Sequence, residues 1–345
     1  MATRIVGLDI GNEVLRGIEL EYVAKKRPMV MRYHEVALPE GAVRIGEVVE
    51  ENTVATALKQ LWTEGKFRTR DVVIGLGNQK VLARDLIVPR GSIESIREAL
   101  PFQVQDLIPV PVAEALLDFY PIAEVNSETG PAVSGLLVAA VKASVLANVN
   151  AVRKAGLWPV DVDLIPFALQ RSIGANMTGT AAVIDVGATT TNIIISTGGV
   201  PQFVRIIPAG GDDLTRALVT RLGIDRDLAE RVKAGIGLAN GSVLPENRPA
   251  VEVIYEVTRE LLNSVRNTLN YFASTRENRR VEHVVLSGGA ARLPGFAETL
   301  ASMTSMTVTV ADPFAKVELG KDARHLAGSP SRAAVALGLV LGRAA

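Results

Sequence analysis

Two short stretches of this sequence carry residue types that could handle a phosphate and its counter-cation. The first is Ile5-Val6-Gly7-Leu8-Asp9-Ile10-Gly11-Asn12. The second is Ala182-Val183-Ile184-Asp185-Val186-Gly187-Ala188-Thr189-Thr190-Thr191-Asn192, half a chain length further on. Each reads as a buried strand running into Asp-x-Gly, then a hairpin turn and a second β-rich run, Val14 to Leu20 after the first and Ile193 to Ser196 after the second. Glycine at Gly11 and Gly187 lets backbone N–H groups approach an anion in conformations that a side chain would block. The hydroxyls of Thr189, Thr190 and Thr191 add neutral donors. An aspartate at each loop repels bare phosphate, so Asp9 and Asp185 point to a hard cation between them, such as Mg²⁺ held by carboxylates, waters and phosphate oxygens. Asp-x-Gly by itself is ordinary turn chemistry. Its recurrence in two halves predicts a duplicated domain whose loops face each other across a cleft, an arrangement that holds a nucleoside triphosphate from both sides.

The composition bounds the rest. At 345 residues there is room for two domains of the usual size of roughly 100 to 200 residues. Hydrophobic residues make up 48% and charged residues 21%, which describes a globular protein with an ample core. Lysine plus arginine equals aspartate plus glutamate at 37 each, so no global basic field draws nucleic acid or anionic lipid. The absence of cysteine excludes disulfides, thiol catalysis and cysteine metal sites, and fits a reducing compartment. The apolar N-terminus runs straight into the first Asp-x-Gly strand without a signal-peptide cleavage site. No apolar run reaches the roughly 18 residues of a membrane span, so membrane contact is expected only through a partner.

The elements that must position the loops follow from periodicity and turn residues. Hairpin patterning through Ala37 is followed by a helix near Asn52 to Gly65. Strands at Asp71 to Gly75 and Lys80 to Val88 read as a pair, with Gly75, Gly77 and Asn78 as their turn. Ser92 caps a helix, a Pro-containing segment from Leu107 to Val112 follows, and Ala115 to Ile122 is strand-like. With the polar loop Asn126 to Pro131, this predicts an inserted subdomain over 91–130. Val133 to Val141 reads as a strand, Ser144 to Ala155 as a helix closed by Gly156, Val160 to Leu164 as a strand, and Pro166 opens a connecting helix. The second domain has Gly210-Gly211-Asp212-Asp213 leading into a helix, a helical Leu228 to Lys233, a long helix from Val251 to about Arg276, and Ser287-Gly288-Gly289-Ala290 after a strand. In the terminal helix Ser331 to Gly342, Ala334, Gly338 and Gly342 recur every four residues, putting small side chains on one face where another helix can approach closely. Arg276, Arg279 and Arg280 read as a helix end complementing its dipole.

This order of landmarks resembles the actin-like ATPase superfamily, which includes actin, heat-shock chaperones, sugar kinases and FtsA. Its landmarks run across nearly the whole chain: first phosphate loop Asp9 to Asn12, connecting helix after Pro166, second phosphate loop Asp185 to Asn192, adenosine motif Ser287 to Ala290, and the terminal connecting helix. Within it the sequence is similar to the PilM family of type IV pilus assembly proteins, through the Gly-Leu-Asp-Ile-Gly hairpin at Gly7 to Gly11, the Leu107 to Val112 segment with Leu117-Asp118-Phe119-Tyr120, and Ala155-Gly156-Leu157 before Val160. The resemblance implies an α/β, duplicated actin-like (ribonuclease H-like) fold, with two domains around a nucleotide cleft and a small α+β insertion. Domain I would be 1–178 completed by 331–345, and domain II would be 179–320. It implies ATP and Mg²⁺ as cofactors. Gly11, Asn12, Arg16 and Gly187 to Asn192, including Ala188, would line the phosphates. Glu230 and Lys233, three apart on one helical face, would lie near ribose and adenine, and Gly210, Gly211, Gly288, Gly289 and Ala290 around the adenosine. Taken singly, the ion pair also reads as a solvated surface pair and each glycine pair as a tight turn.

Two departures stand out. Arg16 occupies a position where the PilM family often carries lysine, keeping the charge without the compact ammonium. Ile165 precedes Pro166 where many superfamily ATPases carry a glutamate that orients the attacking water. A positioned acid or base contributes about 10² to 10⁴ in rate, so ATP binding with slow or no hydrolysis is expected, at most a slow ATPase. His34, His283 and His325 lack metal-site spacing.

The function implied is a cytoplasmic ATP-binding scaffold at the inner membrane, in a type IV pilus or related secretion complex. It would bind the N-terminal cytoplasmic tail of a PilN-like protein in a groove between the first subdomain and the insertion. Leu86, Val88, Phe102, Leu107, Val110 and Leu117 are its candidate lining, where an extended peptide adds to a sheet edge. Contacts with other pilus assembly proteins and self-association complete the expected partners, with no nucleic acid and no direct membrane insertion. An active small-molecule kinase would need an acidic base where Ile165 stands. An FtsA-like filament former would carry an amphipathic C-terminal helix, which Gly342-Arg343-Ala344-Ala345 does not supply.

Overall fold

The computed structural model describes residues 3–23, 27–128, 130–238, 244–276, 279–328 and 330–342. The last three residues of the expected 331–345 segment lie outside the described residues. Two five-stranded units of one topology dominate. In the first, β1 (Thr3–Ile10), β2 (Val14–Tyr22) and β3 (Met29–Ala37) form an antiparallel meander. The minor hairpin β4 (Val43–Arg44) and β5 (Glu47–Val48) then leads into α1 (Glu51–Gly65). Strand β6 (Asp71–Leu76) adds parallel to β1.

The chain next leaves this sheet to build the insertion from β7 (Val81–Pro89), α2 (Ile93–Gln103), β8 (Ala115–Ser127) and β9 (Gly130–Val141). It returns through α3 (Lys142–Lys154) to β10 (Trp158–Leu164), which pairs parallel with β6. Helix α4 (Ile165–Ser172) crosses to the second unit. There β11 (Thr180–Val186), β12 (Thr191–Thr197) and β13 (Val200–Ile207) repeat the meander. They are followed by α5 (Gly211–Leu222), α6 (Arg226–Ile236), α7 (Arg248–Thr275), β14 (His283–Ser287), α8 (Phe296–Thr304) and β15 (Thr307–Val310). Strand β16 (Glu318–Leu319) returns to the edge of the first sheet beside β3, and α9 (Ala334–Leu341) ends the described fold.

The sheet orders are β10-β6-β1-β2-β3-β16 and β13-β12-β11-β14-β15. Leaving out β16, the second is the first repeated, so the duplication expected from the two Asp-x-Gly stretches is present in the topology. The central strands are apolar on both faces because helices cover them: all of β11 is buried, as are Ile5 to Ile10 of β1.

One expected hairpin is absent. Strands β6 and β7 belong to different sheets, since β7 joins β9 and β8 in a separate three-stranded sheet. Gly75 to Asn78 is therefore a crossover between layers, and the layer that folds separately spans 81–141, wider than 91–130. The expected polar loop at Asn126 is also shorter, because Asn126 pairs with Pro131 and Ser127 with Gly130.

Small residues weld the two connecting helices together. A Cβ on Gly338 of α9 would come within 1.9 Å of the Ala168 carbonyl oxygen of α4. The four-residue spacing read from the sequence is thus a backbone-to-backbone helix crossing. Around it, Ile5 and Ile18 of the first unit join Val183 and Ile194 of the second in one apolar cluster.

Candidate functional site

A cleft of about 1060 Å³ opens between the two units. It brings together Asp9, Gly11, Asn12, Arg16, Asp185, Gly187 to Thr190, Asn192, Gly210, Gly211, Glu230, Lys233, Gly288 and Gly289. The two hairpin turns are built alike: Gly11 N–H donates to the Val14 carbonyl at 3.2 Å, and Gly187 N–H to the Thr190 carbonyl at 2.9 Å. The second turn is locked onto α5, whose Gly211 and Asp212 N–H groups donate to the Gly187 and Ala188 carbonyls. Gly210 permits that approach, because a Cβ there would lie 2.5 Å from both carbonyl oxygens.

One of the sequence-derived residues takes another role. Thr191 is fully buried at the start of β12 and donates its hydroxyl to the Ala209 carbonyl at 2.8 Å, so strand alternation turns it away from the cleft. Ala290 follows Gly289 directly in the chain and opens the 3-10 turn Ala290–Arg292. Asn12 lines the cleft but accepts from Gly46 N–H at 2.8 Å, bracing the β4–β5 loop.

Asp9 and Asp185 are only 9% and 7% exposed. Burial pushes both carboxyls above their ordinary range, Asp185 to about 6 with the nearby charge of Asp9 adding to the rise. Arg16, with Nη1 3.4 Å from Asp9 Oδ2, offsets the rise at Asp9. Beside them Asn192 Oδ1 is buried without a hydrogen-bond partner. Ser287, adjacent to Asp185 in register, partly offsets that residue's shift and has no hydrogen bond of good geometry at its hydroxyl. Two carboxylates with two unspent hard oxygens fit a divalent cation that keeps most of its waters. No cluster of three or more histidine, aspartate or glutamate side chains suited to a metal occurs among the described residues.

On α6 Glu230 and Lys233 pair as their spacing predicts, yet they are tied to α5 and not simply solvated. Lys233 Nζ donates to Glu230 Oε1 at 2.6 Å, Thr215 Oγ1 at 2.7 Å and the Gly211 carbonyl at 3.3 Å. Burial pushes the Glu230 carboxyl up, but hydrogen bonds from Lys233 and Thr215 outweigh it and hold it low. Ile165 also lines the cleft, with Cδ1 2.8 Å from where a Cβ of Gly77 would lie. The wall before Pro166 is therefore apolar.

A second cavity, of about 520 Å³, lies between the insertion and the first unit. Its walls are β8, an edge of the inserted sheet, and β10, an edge of the first sheet, with Phe167 and Arg171 of α4 below. Tyr120 stacks on Phe167 at 5.2 Å between ring centroids. Arg171 ion-pairs with Asp163 and donates to the Gly338 carbonyl of α9 at 3.0 Å. Burial pushes the Asp163 carboxyl up, against the pull of Arg171.

Of the six residues expected to line this groove, Leu117 alone borders it. Val88 is 1% exposed in the insertion core, where Leu86 and Leu107 also pack. Strand alternation sends Leu86 and Val88 to the same inner face. Phe102 is 81% exposed on α2, and Val110 is half-buried away from the groove. Leu116 and Tyr120 supply the groove face instead.

The sequence profile described as type IV pilus assembly protein PilM matches residues 7–344. The chain belongs to that family. A solved structure described as the PilM-PilN type IV pilus biogenesis complex superposes on this PilM-family chain with a TM-score of 0.83 and 28% identity, over 98% of both chains. The ethanolamine utilization protein EutJ from Carboxydothermus hydrogenoformans follows at 0.57 and 17%, over 98% of this chain and 89% of that one, a likeness of fold. Among sequences, the cell division protein FtsA of Bacillus subtilis (strain 168) is 22% identical over 329 residues, 80% of this chain and 72% of that protein. FtsA of Streptococcus pneumoniae is 31% identical over 164 residues, 43% of this chain and 36% of that protein. The fold is that of the actin-like ATPases.

Several long-range contacts of this family member were not legible in sequence context. Arg226, at the first position of α6, bridges Glu13 of the first hairpin and Asp212 of α5 across the cleft mouth. Arg332, just before α9, pairs with Glu35 at 2.7 Å. The Arg276 cluster does stand at a helix end, with Arg276 at the C-cap of α7, and it also makes tertiary contacts: Arg276 reaches across to pair with Asp85 of β7, while Arg279 donates to Gln202 Oε1 of β13 within the second unit at 2.6 Å. No local pattern signals such pairs, whose members lie far apart in the chain.

Proposed function

We propose that this chain is an ATP-binding scaffold of a type IV pilus or related secretion assembly, working on the cytoplasmic face of the inner membrane. The observation that carries the nucleotide half is the pair of like-built Asp-x-Gly turns facing one cleft, with two buried carboxylates and unspent oxygens between them. Bound Mg²⁺ would neutralise phosphate charge there. Asp9 and Asp185 would hold its waters, Thr189 and Thr190 would donate to phosphate oxygens, and Glu230 and Lys233 would face the ribose and base. Ile165 offers no group to orient an attacking water, so turnover is slow or nil.

The groove between β8 and β10 is the place for the tail of a PilN-like membrane protein. The outermost strands of two sheets flank it, where an extended peptide could add, and Leu116, Tyr120 and Phe167 provide apolar pockets. The partner named with the similar PilM structure supports this occupant. Placement at the membrane then comes from the partner, since no described helix is long and apolar enough to cross a bilayer.

Calorimetry with ATP, with and without Mg²⁺, and phosphate release with and without a synthetic PilN-like N-terminal peptide test both halves. Mg²⁺-dependent binding, negligible turnover and peptide binding are expected. Fast turnover indifferent to peptide would favour a kinase-like enzyme, and no ATP binding would remove the cleft assignment.

A further inference from the structure

The two hairpins share a register but differ in what stands beside the aspartate. On the first sheet Asp9, Arg16 and Glu35 lie side by side on three neighbouring strands. On the second the corresponding row is Asp185, Asn192 and Ile206. Arg16 Nη1 is 3.4 Å from Asp9 Oδ2, and its Nε is 3.5 Å from Glu35 Oε2. Both are long against the roughly 2.7–2.9 Å of a good charge-assisted hydrogen bond, and Nε has no hydrogen-bond acceptor. Glu35, by contrast, is firmly held, accepting from Arg332 Nη1 at 2.7 Å and from the Tyr33 hydroxyl at 2.8 Å. The guanidinium is thus framed on the cleft wall, balancing charge with most of its donors unspent.

We propose that Arg16 is a stand-in cation, which neutralises Asp9 until a phosphate-bearing ligand takes the guanidinium, and so makes divalent-cation binding at Asp9 and Asp185 conditional on phosphate. Glu35 is the positioning residue that keeps Arg16 aimed into the cleft. This rests on reading the cleft as a nucleotide site. A phosphate offers the planar fork a bidentate partner, which the long contact to Asp9 is not. Once Arg16 turns to phosphate, Asp9 and Asp185 are two neighbouring buried carboxylates with no cation, the arrangement that a divalent ion relieves. An ion arriving without phosphate meets a like charge already beside its ligand.

The test is Mn²⁺ alone, titrated into the full chain without nucleotide and followed by electron paramagnetic resonance. Wild type should bind weakly. Arg16→Gln should bind at least about tenfold more tightly, a free-energy change of about 1.4 kcal/mol, and Asp185→Asn added to it should erase the gain. Arg16→Lys, which keeps the charge, should behave as wild type. Tight Mn²⁺ binding by wild type overturns the proposal even if Arg16→Gln fails to fold, and so does equal weak binding by wild type and a folded Arg16→Gln. For Glu35, substitution by Gln should weaken ADP binding and leave adenosine binding unchanged; equal losses would overturn its positioning role. Absence of Mg²⁺-ATP binding by wild type would sink the nucleotide reading separately, because the Mn²⁺ titration uses no nucleotide.

Discussion

Arg16 stands opposite Asp9 across the first hairpin at the register position that Asn192 holds opposite Asp185 in the second. The duplication thus repeats the turn while dividing the charges. One aspartate has a cation beside it, and the other faces a neutral amide with an unspent oxygen.

Burial, with the charge of Asp9 adding to it, makes ionised Asp185 a liability in the fold. Its folded carboxyl sits at about 6 against 3.8 ordinarily, so ionisation is penalised in the fold by roughly 3 kcal/mol at neutral pH. The penalty is full above about pH 6 and disappears as pH falls below the unfolded value near 4. Asp185→Asn should therefore melt at higher temperature than wild type at pH 7.5, with the gap closing by pH 4.5, while Mg²⁺-dependent ATP binding is lost. Thermal denaturation across that range checks the sign.

Gly338→Ala should destabilise the protein, although alanine favours a helix interior over glycine by about 1 kcal/mol. The new methyl would meet the Ala168 carbonyl 1.9 Å away, which forces α4 and α9 apart. Overpacking of this kind costs typically 1–3 kcal/mol, and urea unfolding measures it.

Ile165→Glu should raise phosphate release by at least tenfold, toward the roughly 10² to 10⁴ that a positioned acid or base supplies. The side chain at 165 faces the cleft beside Gly77, so the carboxylate has room to reach water. Single-turnover hydrolysis of Mg²⁺-ATP is the readout, and an unchanged rate would mean that this position does not face the reacting phosphate.

Leu116→Glu should weaken binding of the tail peptide at least about tenfold, about 1.4 kcal/mol, with little change in stability, because Leu116 is 43% exposed in the groove. Phe102→Ser, on the outer face of α2, should leave the peptide affinity unchanged. Val88→Ala should instead lower stability by about 1–3 kcal/mol through lost packing in the insertion core. Fluorescence titration and melting of the three variants separate lining from core.

The sequence alone determined the duplicated hairpins, the order of elements and most of the cleft. Glycine in a turn, strand periodicity and the four-residue spacing of Ala334, Gly338 and Gly342 are local signals, and local geometry keeps them legible. Tertiary structure decided the partners. Whether β6 continues into β7 or yields to a second sheet depends on which edge β9 offers, and that is settled by packing between segments. Which face of β7 and β8 looks into the groove depends in turn on where α2 and α4 lie, so Val88 went inward and Leu116 outward. Long-range ion pairs such as Arg332 with Glu35 and Arg226 with Glu13 join residues that only the folded chain brings within reach. A charged side chain is compatible with many partners, and no periodicity records which one it meets.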